Sequence, residues 1–165
     1  MPNEFRPIDR RARLGHVHLK MSDLKRALDF CGGVLGFEMQ QRWGQEAAFI
    51  SAGGYHHHIG LNIWESAGGS PPPPGSTGLF HLAILYPTRA ELADALRRLI
   101  QAKIPLDGAS DHGVSEALYL RDPDENGVEL YWDRAKEDWP RGPDGKLAMS
   151  NARIDLKALL ETATI

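Results

Sequence analysis

Leu14-Gly15-His16-Val17-His18-Leu19-Lys20 and Leu79-Phe80-His81-Leu82-Ala83-Ile84-Leu85 read as two versions of one strand, each with a histidine in its third position. Successive side chains of a strand point to opposite faces of a sheet. Val17 and Leu19 therefore share one face and His16 and His18 the other, while Phe80, Leu82 and Ile84 oppose His81 and Ala83. Each segment is followed by a helix signal. Ser22 is the expected N-cap of a helix that places Leu24, Ala27, Leu28 and Cys31 on one face and is ended by Gly32, Gly33 and Gly36. Thr88-Arg89-Ala90-Glu91 has the capping-box spacing and opens a helix with Leu92, Ala95, Leu96 and Leu99 inward, stopped by Pro105.

Strand patterns then recur in both halves. They are predicted at Phe37 to Trp43, Ala47 to Ala52 and His57 to Trp64, and again near Ile104 to Asp107, at Glu116 to Arg121 and at Gly127 to Asp133. Between the halves, Glu65 to Gly78 reads ESAGGSPPPPGSTG, a linker that sustains neither a helix nor a central strand. The expected fold is α+β: one domain of two paired βαβββ modules, 14–64 and 79–133, followed by a tail, 134–165. A strongly twisted sheet paired with its repeat should curl into an open barrel with a concave, helix-free face.

Composition limits the function classes. The 165 residues fit one globular domain, and a net charge of -3 without runs of like charge excludes the footprint of a general nucleic-acid binder. A small-molecule partner is expected. The single cysteine, Cys31, rules out an intrachain disulfide framework, and its place on the apolar helix face marks an inert buried thiol. No apolar run reaches the roughly 18 residues of a membrane span, and Met1 to Arg13 lacks a signal-peptide h-region. A soluble, cytoplasmic protein is expected, with a homodimer as the default assembly.

In the last predicted strand Val128, Leu130 and Trp132 form the apolar face, leaving Glu129 and Tyr131 opposite. If the apolar faces pack on the helices, His16, His81 and Glu129 all project from the helix-free side. Two imidazoles and a carboxylate suit a divalent metal with open positions for substrate, Fe(II) first, with Mn, Zn and Ni as competitors. A single strand histidine is more often a hydrogen-bonded core residue. The matching offsets in the two halves are what single out these three.

These residues resemble the vicinal oxygen chelate superfamily, over Leu14 to Asp133, and within it extradiol catechol 2,3-dioxygenases. The similarity lies in Gly15-His16-Val17-His18-Leu19, Tyr55-His56-His57-His58-Ile59-Gly60-Leu61-Asn62, Asp111-His112-Gly113, Tyr119-Leu120-Arg121-Asp122-Pro123 and Glu129-Leu130-Tyr131. The resemblance implies that His16, His81 and Glu129 hold Fe(II), that an aromatic diol chelates it, and that dioxygen takes the remaining position. It also implies catalytic roles for His57 in substrate deprotonation, His112 as acid/base and Tyr119 as hydrogen-bond partner of a substrate oxygen.

Strict alternation counted back from Gly60 puts His58 and His56 on the concave face and turns His57 away, which a bulge or strand end would reconcile. His18 shares the face of His16 and is expected in the pocket lining, and Trp43, Trp64, Trp132 and Trp139 in core or pocket wall. Gly60 stands where the first repeat would carry a counterpart of Glu129, which disfavours the four-ligand chemistry of lactoylglutathione lyases. Cys31 stands where relatives usually have tyrosine, and Glu125 where they usually have glycine. The competing readings are a fosfomycin-type thiol transferase or glyoxalase-like lyase of the same superfamily, and a metal-free drug-binding module. The tail, with Leu156, Leu159 and Leu160, covers either the pocket or a neighbouring subunit.

Overall fold

The computed structural model describes residues 6–164. In the first half, strand β1 (Val17–Lys20) leads into α1 (Leu24–Leu28) and then to strands β2 (Glu38–Trp43), β3 (Ala47–Ser51) and β4 (Ile59–Asn62). The second half repeats the order with β5 (Leu82–Tyr86), α2 (Arg89–Gln101), β6 (Gly108–Asp111), β7 (Ser115–Arg121) and β8 (Gly127–Asp133). Each half forms its own sheet, ordered β1-β4-β3-β2 and β5-β8-β7-β6, in which the first strand lies at the edge and runs parallel to the last strand of the half, its neighbour. Such a parallel pair needs a crossover, and the helix that makes it covers one face of the sheet and leaves the other free.

The core follows from that layering. Leu24, Ala27, Phe30 and Cys31 from the first helical segment, and Leu92, Ala95, Leu96 and Leu99 from α2, join Ile50, Leu61, Leu118 and Leu130 of the sheets in one buried cluster. Polar contacts tie the halves at the start of α1. The Ser22 hydroxyl and the Arg26 guanidinium both donate to Asp124 Oδ1 in the β7–β8 turn, and Arg98 donates to the Leu35 carbonyl. Ser22 is thereby engaged across the junction, and the N-cap falls to Asp23, whose carboxylate accepts from the Arg26 N–H.

Several boundaries differ from the sequence expectation. Gly32 and Gly33 do not end the first helix; the chain passes through them in a π-helical turn, Asp29–Val34, and leaves at Gly36, whose φ of 87° suits glycine. The strand expected near Ile104 to Asp107 begins only at Gly108, because Ile104 and Leu106 pack on the core from an irregular connection that follows the left-handed Lys103. The ladders start late as well. The first begins at Val17, with Leu14 99% exposed, and the fifth at Leu82, so His16 and His81 each immediately precede a strand. Trp43 is 67% exposed on the edge strand rather than part of a core or wall.

The tail packs on its own chain. Residues Ala152–Arg153 add a short strand, β9, to the edge at β6, and α3 (Leu156–Leu160) lies on α2 with Leu159 fully buried. No helix among the described residues is long and apolar enough to cross a membrane. Truncating Leu159 to alanine removes the side chain that docks α3, and is expected to cost roughly 2 to 5 kcal/mol in urea unfolding. Trp43→Ala, on the exposed edge, should move the same midpoint by no more than about 0.5 kcal/mol.

Candidate functional site

The second half builds a continuous polar line on its helix-free face. Ala83 of β5 pairs with Glu129 of β8, and Tyr119 of β7 pairs with Glu129 from the other side. Gly127 permits the close approach of β8 to the start of β5, since a Cβ there would run into the Phe80 carbonyl and sit 3.0 Å from His81 Cβ. His81 Nε2 consequently lies 2.9 Å from Glu129 Oε2. The Tyr119 hydroxyl is 3.1 Å from Glu129 Oε1 and 2.7 Å from His112 Nε2, and His112 Nδ1 lies 3.0 Å from the Ser150 carbonyl. Burial, and then the Glu129 carboxylate, push the Tyr119 phenol up to about 12. Next to His112, Asp111 is held below the usual carboxylate range, first by its hydrogen bond to Arg134.

The first half has the same register but different side chains. His18 pairs with Gly60, and Phe49 with Gly60, so Gly60 and Phe49 occupy the places of Glu129 and Tyr119. A Cβ on Gly60 would stand 2.9 Å from the His18 ring. The imidazole of His18 thus fills the space a carboxylate would need, with Phe49 and Trp64 beside it at ring-centroid distances of 5.9 and 5.6 Å. Burial and then His16 lower the His18 pKa.

His57 lies before the ladder of β4, where strict alternation no longer applies. Its ring rests 4.4 Å from that of His16 and 5.0 Å from that of Phe49, on the same helix-free side. Desolvation, followed by the imidazoles of His16, His56, His18 and His58, holds its pKa below the ordinary histidine value. His56 Nδ1 is 2.8 Å from His57 Nδ1, and His58 Nδ1 accepts from the Ala52 N–H, so neither neighbour joins the second-half line.

His81, Glu129, Tyr119 and His112 are thus gathered in one half, and His16, His57 and His18 in the other. The 2.9 Å between His81 Nε2 and Glu129 Oε2 brings together one imidazole and one carboxylate, two of the three residues that would hold a metal. The full set of three does not converge. Among the described residues no three His, Cys, Asp or Glu side chains are grouped to hold a metal ion, and His16 stays with the first-half cluster. A cavity of about 260 Å³ lined by Phe80, His81, Asp107, Tyr119 and Arg121 opens beside the His81–Tyr119 pair. Cys31 takes no part: burial pushes its thiol up to about 12. The Ser150 carbonyl escaped the sequence reading, because a backbone acceptor leaves no signature in residue type.

Residues 13–130 match the Glyoxalase/Bleomycin resistance protein/Dioxygenase superfamily, and the chain belongs to that family. A Bacillus subtilis (strain 168) protein named catechol-2,3-dioxygenase is 40% identical over 151 residues, covering 91% of this chain and 52% of the relative. Biphenyl-2,3-diol 1,2-dioxygenase 3 of Rhodococcus globerulus is 32% identical over 126 residues, covering 73% of this chain and 63% of its own. The chain therefore spans between half and two thirds of these relatives. The crystal structure of a glyoxalase/dioxygenase from Nostoc punctiforme superposes with a TM-score of 0.62 at 19% identity, over 74% of this chain and 92% of that one, and supports the fold.

The surroundings of Tyr119 set a measurable titration. In metal-free protein its phenolate should form near pH 12 by ultraviolet absorbance, about two units later than an ordinary tyrosine at 10.0. Because the folded value is raised, the stability linked to this group is present below pH 10 and lost as pH climbs toward 12. Glu129→Gln should bring the midpoint part of the way back, since burial is the larger cause.

Proposed function

We propose that this chain carries an extradiol ring-cleaving dioxygenase site for a catechol-type diol, with His81 and Glu129 as two ligands of Fe(II) and His16 as the third. Both curated relatives are named as dioxygenases of aromatic diols, which supports the substrate class. The observation that carries the reading is the hydrogen-bonded line Glu129–Tyr119–His112, which sets a hydroxyl and an imidazole beside the paired ligands. The same line has no evident use in a module that only binds a drug.

When bound by His16, His81 and Glu129, the metal would supply Lewis-acid chemistry for the diol and dioxygen. The chain's own groups handle protons and orientation. Tyr119 stays protonated at neutral pH and so can donate its O–H to a substrate oxygen. His112, through Nε2, takes up and returns a proton at the same place. Burial and the neighbouring imidazoles lower the His57 pKa, which favours the uncharged ring that would accept a diol proton near His16. His16 has to come within ligand distance of the His81–Glu129 pair for the three-residue set to close. Gly60 offers no fourth ligand, in keeping with a site that needs open positions.

The test is oxygen uptake by anaerobically Fe(II)-reconstituted protein across a panel of catechols, with His81→Ala alongside. Uptake that is lost in the variant is expected. Absence of uptake in protein shown to hold iron would overturn ring cleavage in favour of thiol transfer or another chelate reaction, and absence of bound metal would favour a metal-free binding module. His112→Ala should keep its iron and lose about 10²- to 10⁴-fold in turnover, the range for a general acid/base. Unchanged turnover would remove His112 from the mechanism.

A further inference from the structure

We propose that the C-terminal segment 139–153 is a positioning element of the site, whose Ser150 carbonyl holds His112 in a single tautomer with the proton on Nδ1 and the lone pair of Nε2 facing Tyr119. The importance given to this tautomer rests on the acid/base role of His112 in the proposed function; the geometry stands without it. A carbonyl oxygen only accepts, so the 3.0 Å contact between His112 Nδ1 and the Ser150 oxygen requires a proton on Nδ1. In the neutral ring Nε2 is then the acceptor, so the Tyr119 hydroxyl, 2.7 Å away, turns its single proton to Nε2 in place of Glu129 Oε1 at 3.1 Å. With Nδ1 committed, every proton the ring gains or loses passes through Nε2.

The segment is built to hold that contact. Ser150 and His112 are joined twice, since the Ser150 N–H also donates to the His112 carbonyl at 3.0 Å. Upstream, Trp139 Nε1 donates to the Arg134 carbonyl, and Ala148 N–H to the Pro140 carbonyl. Pro140 packs directly on Gly113, whose φ of 75° and lack of a side chain admit it; a Cβ there would stand 2.9 Å from Pro140 Cγ. Downstream, β9 pairs Ala152 with Asp111 and Arg153 with Ser110, on the strand that leads into His112. From the sheet side Arg134 grips Asp111 through two hydrogen bonds of 2.8 and 2.9 Å and also reaches Glu116, while Asp111 Oδ1 accepts from the Gly113 N–H. The backbone on both sides of His112 and the ring itself are therefore restrained, and the ring restraint comes from the tail.

The experiment is a long-range proton–nitrogen NMR spectrum of the histidine rings in the full metal-free chain, at a pH where the imidazoles are neutral, with His112 assigned by its loss in His112→Gln. His112 is expected as the Nδ1–H tautomer; finding the Nε2–H tautomer overturns the proposal. Ser150→Pro deletes the N–H that pairs with the His112 carbonyl, and should yield a mixture of tautomers. A folded Ser150→Pro protein that keeps His112 wholly as Nδ1–H overturns the role of the segment. Ser150→Ala leaves the backbone intact and should keep the native tautomer, and a change there overturns the assignment to the backbone carbonyl. Should Ser150→Pro fail to fold, the native spectrum and Ser150→Ala decide between the outcomes. In Fe(II)-loaded protein, Ser150→Pro should lower kcat about tenfold with KM little changed, as for weakened proton transfer. A native protein without oxygen uptake removes the dioxygenase reading and leaves the tautomer result standing.

Discussion

The parallel pairing of β5 with β8 is the constraint on which the site depends. It brings the residue before β5, His81, beside Glu129, and it works only because Gly127 lets the two backbones approach at the start of the ladder. A slip of one residue would turn Glu129 into the helix-covered face and bring Leu130 out of the core. The buried side chains of Val128 and Leu130 against α2 hold the register that the polar face needs. Packing on one side of the sheet thus fixes chemistry on the other.

The two halves share this frame and use it differently. Where the second half has Ala83, Tyr119 and Glu129, the first has His18, Phe49 and Gly60 in the same register. The missing carboxylate does not leave a void, because the His18 imidazole takes its space. One half therefore presents imidazole and aromatic surface, and the other a carboxylate, a phenol and an imidazole in hydrogen-bonded sequence. The junction between them is polar as well as apolar: Asp124 accepts from both Ser22 and Arg26, so the turn before β8 is anchored to the start of α1.

Sequence patterning was most informative where a local rule decided the outcome. Thr88 caps α2 through the Glu91 N–H as the capping box requires, and the turn from Asp122 to Gly127 lies between β7 and β8 as its composition indicates. It misled where a residue had a second suitor. Ser22 is a good cap by type, yet its hydroxyl bonds Asp124, more than 100 positions away. Ile104 and Leu106 look like strand residues because they are apolar, but they reach the core from a connection before the ladder begins. For His57 the period of two was counted through residues that lie outside the strand.

By itself the sequence determined the α+β class, the two repeats and the shared face of His81, Ala83 and Glu129, because helix and strand periods and the offset between repeats are properties of neighbouring residues. Only the tertiary structure decided how far apart those groups stand: His81 and Glu129 meet at 2.9 Å, whereas His16 remains with His57 in the first half. It also decided that the tail would return to β6 and set a carbonyl on His112. Distances between sheets, and the partners of backbone groups, are settled by how distant surfaces pack, and no spacing along the chain encodes them.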